Sequence, residues 1–229
     1  MNPRDLIERL HEFASQPAFA DPLRIARREF VTLRGDLFDS DRDYEARLGV
    51  FLDWFLCDRH VRIDGRSVTP AQHFIDAHHP ELSPDDLAFV EAFRDSGLRL
   101  LVCKKVKKDG SALFEDVVFA TKFDISHAQE IFIALERKQF VEARVIDFLG
   151  EAYVSPYWMP RPTDGIKPVI KAAKLFRSSS TESDLDAGAG NTDLARFIHR
   201  VAELSNRSNR YPHVKVVEIF KELRDSPLA

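Results

Sequence analysis

The sequence predicts an α+β protein with an N-terminal helical bundle, a small antiparallel β-barrel or curled sheet, and a C-terminal helical hairpin after a linker. Residues 1–96 repeat a helix-start signal, residues 97–160 alternate apolar and polar side chains, and residues 178–192 are rich in serine and lack aromatic side chains. We therefore predict a helical domain over 1–96, a β-rich module with a terminal helix over 97–177, a flexible linker over 178–192, and an amphipathic hairpin over 193–229.

The helical half is indicated by four pairs in which a small polar residue precedes proline. The polar side chain accepts hydrogen bonds from N–H groups of the first turn, and proline at the first helical position loses no needed donor. The four pairs are Asn2-Pro3, Asp21-Pro22, Thr69-Pro70 and Ser83-Pro84. Apolar residues then recur at helical spacing, most regularly at Tyr44, Leu48, Phe51, Leu52 and Phe55.

The β-rich module is indicated by alternation around the turn signal Asp109-Gly110. The strand after that turn is expected over 113–120, and a later strand places Val141, Ala143 and Val145 opposite Glu142 and Arg144. Four or five short antiparallel strands are expected, and this number predicts a small barrel or a strongly curled sheet. A short helix, "KPVIKAAKLFR", is expected to follow the sheet.

Composition limits the classes of protein that the chain can belong to. The net charge is −4 and the two cysteines, Cys57 and Cys103, lack metal-ligand spacing, so disulfide scaffolds and zinc ribbons are disfavoured. The first residues lack a basic segment followed by an apolar run, and no apolar stretch approaches the length of a membrane span. We predict a cytoplasmic protein with reduced thiols, no cofactor and no membrane partner.

Three histidines lie close together in "AQHFIDAHHPE", at His73, His78 and His79, with Asp76 among them. A helical metal pair needs a spacing of four residues, whereas these histidines are five and six apart. The favoured interpretation is a helix end, where cationic side chains interact well with the helix dipole. A metal site that includes His60, or a pH-sensitive contact of His78, is the alternative.

Two carboxylates, Asp53 and Asp58, flank Trp54 in "FLDWFLCDRH" and could act as acid and base. Five residues apart on a helix they point in different directions, so we expect Asp53 to face outward and Asp58 to end the helix. No phosphate-binding loop, nucleophile elbow or HExxH motif occurs. The sequence therefore predicts no catalytic and no metal-ligating residue, with a hydrolase or metalloenzyme as a remote alternative.

The stretch "VFLDWFLCDRHVRIDGRSVTPAQHFI" and the β segment after it resemble a group of uncharacterised bacterial proteins. Those proteins combine a helical N-terminal half, containing an aromatic "DWF-L-D" stretch, with a small β-rich module. The resemblance covers residues 40–160 and depends above all on residues 50–58. It implies a fold but no activity, cofactor or site residue.

The C-terminal segment supplies the favoured function. Two short amphipathic helices bury too little apolar surface to be stable alone, so their stripes must be covered by the same chain, by a second copy or by another protein. We predict a non-enzymatic interaction or adaptor protein whose C-terminal helices mediate association. The expected partner-binding residues are Leu194, Phe197, Ile198, Val201, Val214, Val217, Phe220 and Leu223.

The alternative function is binding of RNA or single-stranded DNA through the basic β-module. Lysine and arginine side chains can follow a phosphate backbone, and aromatic side chains such as those of Phe114, Tyr153, Tyr157 or Trp158 can stack on bases. The basic candidates are Lys104, Lys105, Lys107, Lys108, Lys167, Lys171, Lys174 and Arg177. The other interpretations are a solvated hairpin with lysines along a sheet edge and a contact with the acidic helical half.

Overall fold

The computed structural model describes residues 2–36, 38, 43–63, 65–132, 134–181 and 193–225. In the N-terminal part the helices are α1 (Pro3–Ala14), α2 (Ala20–Arg34), α3 (Tyr44–Cys57), α4 (Pro70–His78) and α5 (Pro84–Arg94). The helices after them are α6 (Ala128–Ile131), α7 (Ile166–Ser179), α8 (Asp193–Arg210), α9 (Val216–Phe220) and α10 (Glu222–Asp225). The strands are β1 (Val61–Ile63), β2 (Arg66–Val68), β3 (Gly97–Val106), β4 (Ala112–Asp116), β5 (Lys122–Ile125), β6 (Phe140–Phe148) and β7 (Glu151–Arg161). This arrangement confirms an α+β fold.

Three of the four predicted helix starts are confirmed by cap hydrogen bonds. The side chains of Asn2, Thr69 and Ser83 each accept a hydrogen bond from a backbone N–H of the first turn, at 3.0–3.2 Å. The fourth start differs, because a 3-10 turn over Pro17–Phe19 leads directly into α2. The backbone is therefore already helical at Ala20, and Asp21 lies inside the first turn instead of capping it.

Five strands within the described residues form an antiparallel sheet in the order β5-β4-β3-β6-β7. The edge strands β5 and β7 share no ladder there, so the sheet is curled and not closed into a barrel. The strand after the Asp109-Gly110 turn ends at Asp116 and not at residue 120. The Asp116 carboxylate accepts hydrogen bonds from the N–H groups of Val118 and Phe119, at 2.6 and 3.1 Å, and these bonds form a turn that ends the strand.

A small hairpin, β1 with β2, interrupts the region that was expected to be entirely helical. Val61 pairs with Val68 and Ile63 with Arg66, and the turn contains Gly65 at a φ of +78°. Each strand has only three residues, which is too short for alternation to distinguish it from a loop. The hairpin connects α3 to α4, and residues 58–60 join the end of α3 to β1.

Both faces of the large sheet are covered. One face and the short helix α6 enclose a smaller core that includes Phe114, Phe132 and Val141. The other face belongs to the main core, which also contains Leu6 of α1, Phe55 of α3 and Phe197 of α8. Glu142 and Arg144 lie on this second face of β6, and the helices that cover it leave both side chains fully buried.

Helix α3 lies at the centre of the main core and packs closely against β7. A Cβ atom added to Gly49 would lie 2.0 Å from Cδ1 of Tyr157, so glycine permits this approach. The Tyr157 ring in turn stacks on His11 of α1, with 4.7 Å between ring centroids. Because other elements cover α3 on several sides, polar side chains on this helix can be buried.

A candidate ligand-binding cleft between α2, α3 and α8

A cleft of about 340 Å³ opens where α2, the end of α3 and the start of α8 meet. This volume lies at the lower end of the range of small-molecule sites. Nine described residues line the cleft, and six of them are ionisable. The lining residues are Glu29, Leu33, Trp54, Asp58, Arg59, His60, Ala195, Arg196 and His199.

His199 is the buried imidazole of the cleft. Its Nδ1 accepts a hydrogen bond from Nε of Arg34 at 2.7 Å. Burial, followed by the positive charge of Arg34, lowers the pKa of His199 well below its ordinary value, so the ring is neutral at neutral pH. Since arginine can only donate to Nδ1, the hydrogen of the neutral ring is on Nε2. His199 therefore presents one N–H donor of fixed position.

Trp54 provides a second N–H donor. The side chain is 5% exposed and packs against the rings of Phe30 and His199, with centroid distances of 5.4 and 6.2 Å. Its indole Nε1 is buried and has no hydrogen-bond partner among the described residues. A buried donor without a partner costs about 1–3 kcal/mol, so an acceptor supplied at this position would be favourable.

Asp58 contributes a carboxylate at the C-terminal end of α3. It accepts a hydrogen bond from Nη2 of Arg144, whose Nη1 donates to the carbonyl oxygen of Ser96 at 2.7 Å. Burial raises the pKa of Asp58 despite the opposing charge of Arg144. Arg144 thus holds the carboxylate in place from the sheet side, while Asp58 also lines the cleft.

The rim of the cleft carries paired charges. Arg59 binds Glu29 through two hydrogen bonds, from Nε at 2.5 Å and from Nη2 at 2.8 Å. Arg196 contacts Asp193 at 2.6 Å and is about half exposed. The exposed pair of Arg196 with Asp193 adds little stability. The two rim pairs place charges of both signs around the N–H donors of Trp54 and His199.

Behind the cleft, a buried ion network joins the helices to the sheet. Glu142 accepts hydrogen bonds from Nη1 of Arg34 at 2.5 Å and from Nη2 of Arg161 at 2.7 Å. These two arginines lower the pKa of Glu142 to about 2 against the opposing effect of burial. Because Arg34 bonds both Glu142 and His199, the network fixes the position of the cleft imidazole.

Asp53 does not face outward, as was expected. It is 1% exposed, and its carboxylate lies 2.7 Å from Nε2 of His11 and accepts a hydrogen bond from Oγ of Ser155 at 2.5 Å. The expectation was wrong because α1 and β7 cover the side of α3 that carries Asp53. Asp58 is the C-terminal cap residue of α3, so the expectation that it ends the helix is confirmed. The general expectation that polar side chains outside the C-terminal segment mainly cap helices and meet solvent is wrong at Asp53.

The predicted histidine group lies apart from the cleft, except for His60. His78 is the last residue of α4, and its Nδ1 lies 3.0 Å from a carboxylate oxygen of Glu81. His73 packs against the rings of Phe13 and Phe19. The helix end at His78 is confirmed, and His60 alone joins the lining of the cleft.

The predicted partner-binding stripe is largely covered by the chain itself. Six of its side chains are at most 2% exposed, and Val214 packs against the same core. The buried six are Leu194, Phe197, Ile198, Val201, Phe220 and Leu223. Val217 is the exposed member, at 42%. Helix α8 packs on α2, and the Phe197 ring stacks on Phe176 of α7, with 5.2 Å between centroids.

The eight basic candidates differ in their surroundings. Lys104 contacts Glu115 at 3.1 Å, and Lys107 pairs with Asp124, so part of the hairpin charge is neutralised locally. Nη1 of Arg177 donates to the carbonyl oxygen of Val118, at the end of β4 opposite the 109–110 turn. The remaining five are exposed: Lys105, Lys108, Lys167, Lys171 and Lys174.

The four aromatic side chains considered for base stacking all have contacts within the protein. Phe114 is fully buried, and the Trp158 indole donates to the carbonyl oxygen of Ile131 at 2.9 Å. Tyr157 stacks on His11, as described above, and Tyr153 meets the ring of Phe89 at 6.2 Å between centroids. Burial closes Phe114 to a base, whereas Tyr153, Tyr157 and Trp158 are half-buried.

No group of three or more histidine, cysteine or acidic side chains that could hold a metal ion occurs in the described ranges. In the same ranges, none of the helices combines the length and the apolar character needed to cross a membrane. Most of the predicted linker, residues 182–192, lies outside the described residues; Ser178 and Ser179 belong to α7.

The cleft residues come from three distant parts of the sequence, 29–33, 54–60 and 195–199. The sequence motifs relate Trp54 to Asp58 and relate His60 to the histidine group, but they do not connect these residues with Glu29 or His199. The one signal that could have helped is His199, a histidine within the apolar stripe of α8.

Comparison with known proteins gives no match to a protein-family model, a curated protein or a solved structure.

Proposed function

We propose that the protein binds a small, uncharged polar molecule in the cleft between α2, α3 and α8. The observation that carries the proposal is a cavity of about 340 Å³ lined by Trp54, whose buried indole N–H has no hydrogen-bond partner among the described residues. Pockets of this size with a few fixed polar groups are the usual sites of small ligands. The proposal concerns binding and requires no catalytic step.

The polar groups define the chemistry of the ligand. Trp54 and His199 supply N–H donors, and Asp58 supplies an acceptor. A ligand with neighbouring acceptor and donor groups, such as a carboxamide or a heterocyclic lactam, complements this set. A simple carboxylate fits less well, because the negative charge of Asp58 would repel it.

Binding can be measured through the fluorescence of Trp54. The chain has two tryptophans, so Trp158→Phe leaves Trp54 as the sole indole reporter. Titration with carboxamides, nucleobases and, for comparison, simple carboxylic acids should give a saturable change with members of the first two groups. No saturable change with any carboxamide or nucleobase would contradict the proposal.

A pair of substitutions tests the position of the site. Ala195→Leu adds volume inside the cleft, whereas Ala77→Leu makes the same change on the exposed surface of α4. We expect the first variant to lose binding and the second to retain it, with similar circular dichroism spectra. Equal binding by both variants would place the ligand elsewhere.

Association through the C-terminal segment is a second candidate, supported by the exposure of Val217 on α9. Most of the stripe is used within the chain, so a partner or second copy would contact Val217 and its surroundings. Sedimentation equilibrium of the full chain should show self-association that Val217→Glu abolishes. Ile25→Glu, at a similarly exposed position on α2, is the control. A monomer at all concentrations would exclude self-association.

Nucleic-acid binding through the basic β-module is supported less well. Two of the lysines have acidic partners, Glu115 on β4 and Asp124 on β5, and the aromatic candidates have contacts within the protein. Reversing Lys105 and Lys108, which are exposed, should weaken any salt-dependent binding of single-stranded RNA. Lack of such binding at low salt would exclude this function.

A further inference from the structure

The ligand cleft has a buried base and a partly exposed outer zone. At the base, Trp54 and His199 are 5% and 4% exposed. In the outer zone, the side chains of Glu29 and Arg59 are 44% and 25% exposed, and both line the same cleft. The indole ring of Trp54 therefore lies deeper in the cleft than the ion pair of Arg59 with Glu29.

This ion pair joins two walls of the cleft. Glu29 lies on α2, and Arg59 is the second residue after α3. The guanidinium donates from Nε and Nη2 to the two carboxylate oxygens, whereas its Nη1 donates to the carbonyl oxygen of His60, on its own side of the cleft. The other arginine of the lining, Arg196, contacts Asp193 within α8. Among the described residues that line the cleft, Arg59 and Glu29 therefore form a bridging pair between one wall and another.

The walls of the cleft are held more firmly than the bridging pair. His199 accepts a hydrogen bond from the buried Arg34 at 2.7 Å, and Asp58 accepts one from the fully buried Arg144. The bridging pair is partly in solvent, and its two hydrogen bonds favour the bound state by a factor of about five, the upper end of the range for surface pairs. Exposed side chains change rotamer within nanoseconds. The bridging pair can therefore open while the walls stay in place.

We propose that the bridging pair is a gate that controls the access of small molecules to Trp54. In the closed state, the Arg59 side chain spans the space between α3 and α2. When the pair separates, Arg59 turns toward solvent and the cleft opens between these two helices. As a control of ligand entry the gate rests on the proposed function, but access to the indole is measured without a ligand. A ligand titration that fails while the gate is confirmed would count against the proposed function alone.

Collisional quenching of Trp54 fluorescence by acrylamide measures this access. Acrylamide is uncharged, and fluorescence lifetimes report only collisions, so binding of the quencher does not enter the measurement. In the Trp158→Phe background, Glu29→Gln keeps the size of the side chain but removes its charge. We expect this variant to raise the collisional quenching constant by a factor of about two to five, as far as the pair favours its bound state. An unchanged constant would overturn the proposal.

Two controls separate the gate from a general loosening of the protein. Glu81→Gln breaks another surface pair between distant segments, Arg9 with Glu81 at 3.3 Å, and should leave the quenching constant unchanged. Added sodium chloride screens surface charges, so it should raise the constant of the parent but not that of Glu29→Gln. An equal rise in Glu81→Gln, or the same salt dependence in Glu29→Gln as in the parent, would contradict a gate at this pair.

The comparison does not depend on the Trp158→Phe background. Trp158 packs against the smaller core of the sheet and is not among the residues that line the cleft. If Trp158→Phe alters the circular dichroism spectrum, the chain with both tryptophans is used instead. The difference in quenching between the parent and Glu29→Gln then still reports Trp54, and the absence of a difference would refute the gate.

Discussion

Replacing Glu142 with glutamine tests the buried ion network most directly. Glu142 is fully buried and accepts hydrogen bonds from Arg34 and Arg161 at 2.5 and 2.7 Å. Glutamine would remove the negative charge between two arginines and direct an NH₂ group toward one of them. Removing one partner of a buried ion pair typically costs about 3–5 kcal/mol. The fall of the pKa of Glu142 from 4.5 to about 2 gives a similar figure, roughly 3 kcal/mol at about 1.4 kcal/mol per unit.

The sign of the pH dependence follows from the direction of this pKa shift. Because the pKa of Glu142 is lower in the folded state, its stabilisation is complete above the unfolded pKa near 4.5 and is lost as the pH falls toward 2. Urea unfolding should show Glu142→Gln about 3 kcal/mol less stable than the parent at pH 7. The difference should narrow below pH 4.5, and the exposed control Glu12→Gln should stay within about 0.5 kcal/mol of the parent throughout. A difference below about 1 kcal/mol at pH 7, or one that does not change with pH, would refute this reasoning.

Three further predictions concern packing and thiol chemistry. Gly49→Ala places a Cβ against the Tyr157 ring, so we expect a loss of about 1–3 kcal/mol, measured by thermal unfolding; an unchanged midpoint would mean that α3 and β7 lie further apart. Phe197→Ala should cost about 3–5 kcal/mol in urea unfolding, because this side chain is fully buried; a cost below about 1 kcal/mol would show that α8 docks loosely. Cys57 and Cys103 are buried and burial raises the pKa of both thiols, so a thiol-reactive dye at pH 7 should label them only in denaturant; rapid labelling of the native chain would contradict their burial.

Local signals predicted much of the secondary structure. The cap at Thr69 and the turn at Asp109-Gly110 depend on neighbouring residues alone, and both are found where the sequence places them. The predicted alternation on β6 is also confirmed, since Val141, Ala143 and Val145 share one face of the strand. What it could not show is that the polar face, with Glu142 and Arg144, is buried, because the helices that cover it lie far away in the sequence.

The candidate site could be predicted only in fragments for the same reason. Asp53 and Asp58 were assigned by their angles on an isolated helix, yet their environments are set by α1, β6 and β7. His199 lies in the sequence between the stripe residues Ile198 and Val201 and carries no motif of its own, and only the fold brings it to Arg34, 165 positions earlier. Amphipathic patterns identify the face of a helix that must be covered, but they do not identify what covers it.

The bond between Arg34 and His199 also constrains the order of events during synthesis. The cleft cannot form on the ribosome until α8 has emerged. The apolar surface of α2 and α3 that α8 covers therefore remains exposed while more than a hundred residues are translated. Contacts between segments so distant in sequence form slowly, since a long loop must close first. In the cell, this interval is when a chaperone would have the greatest effect on the yield of native protein.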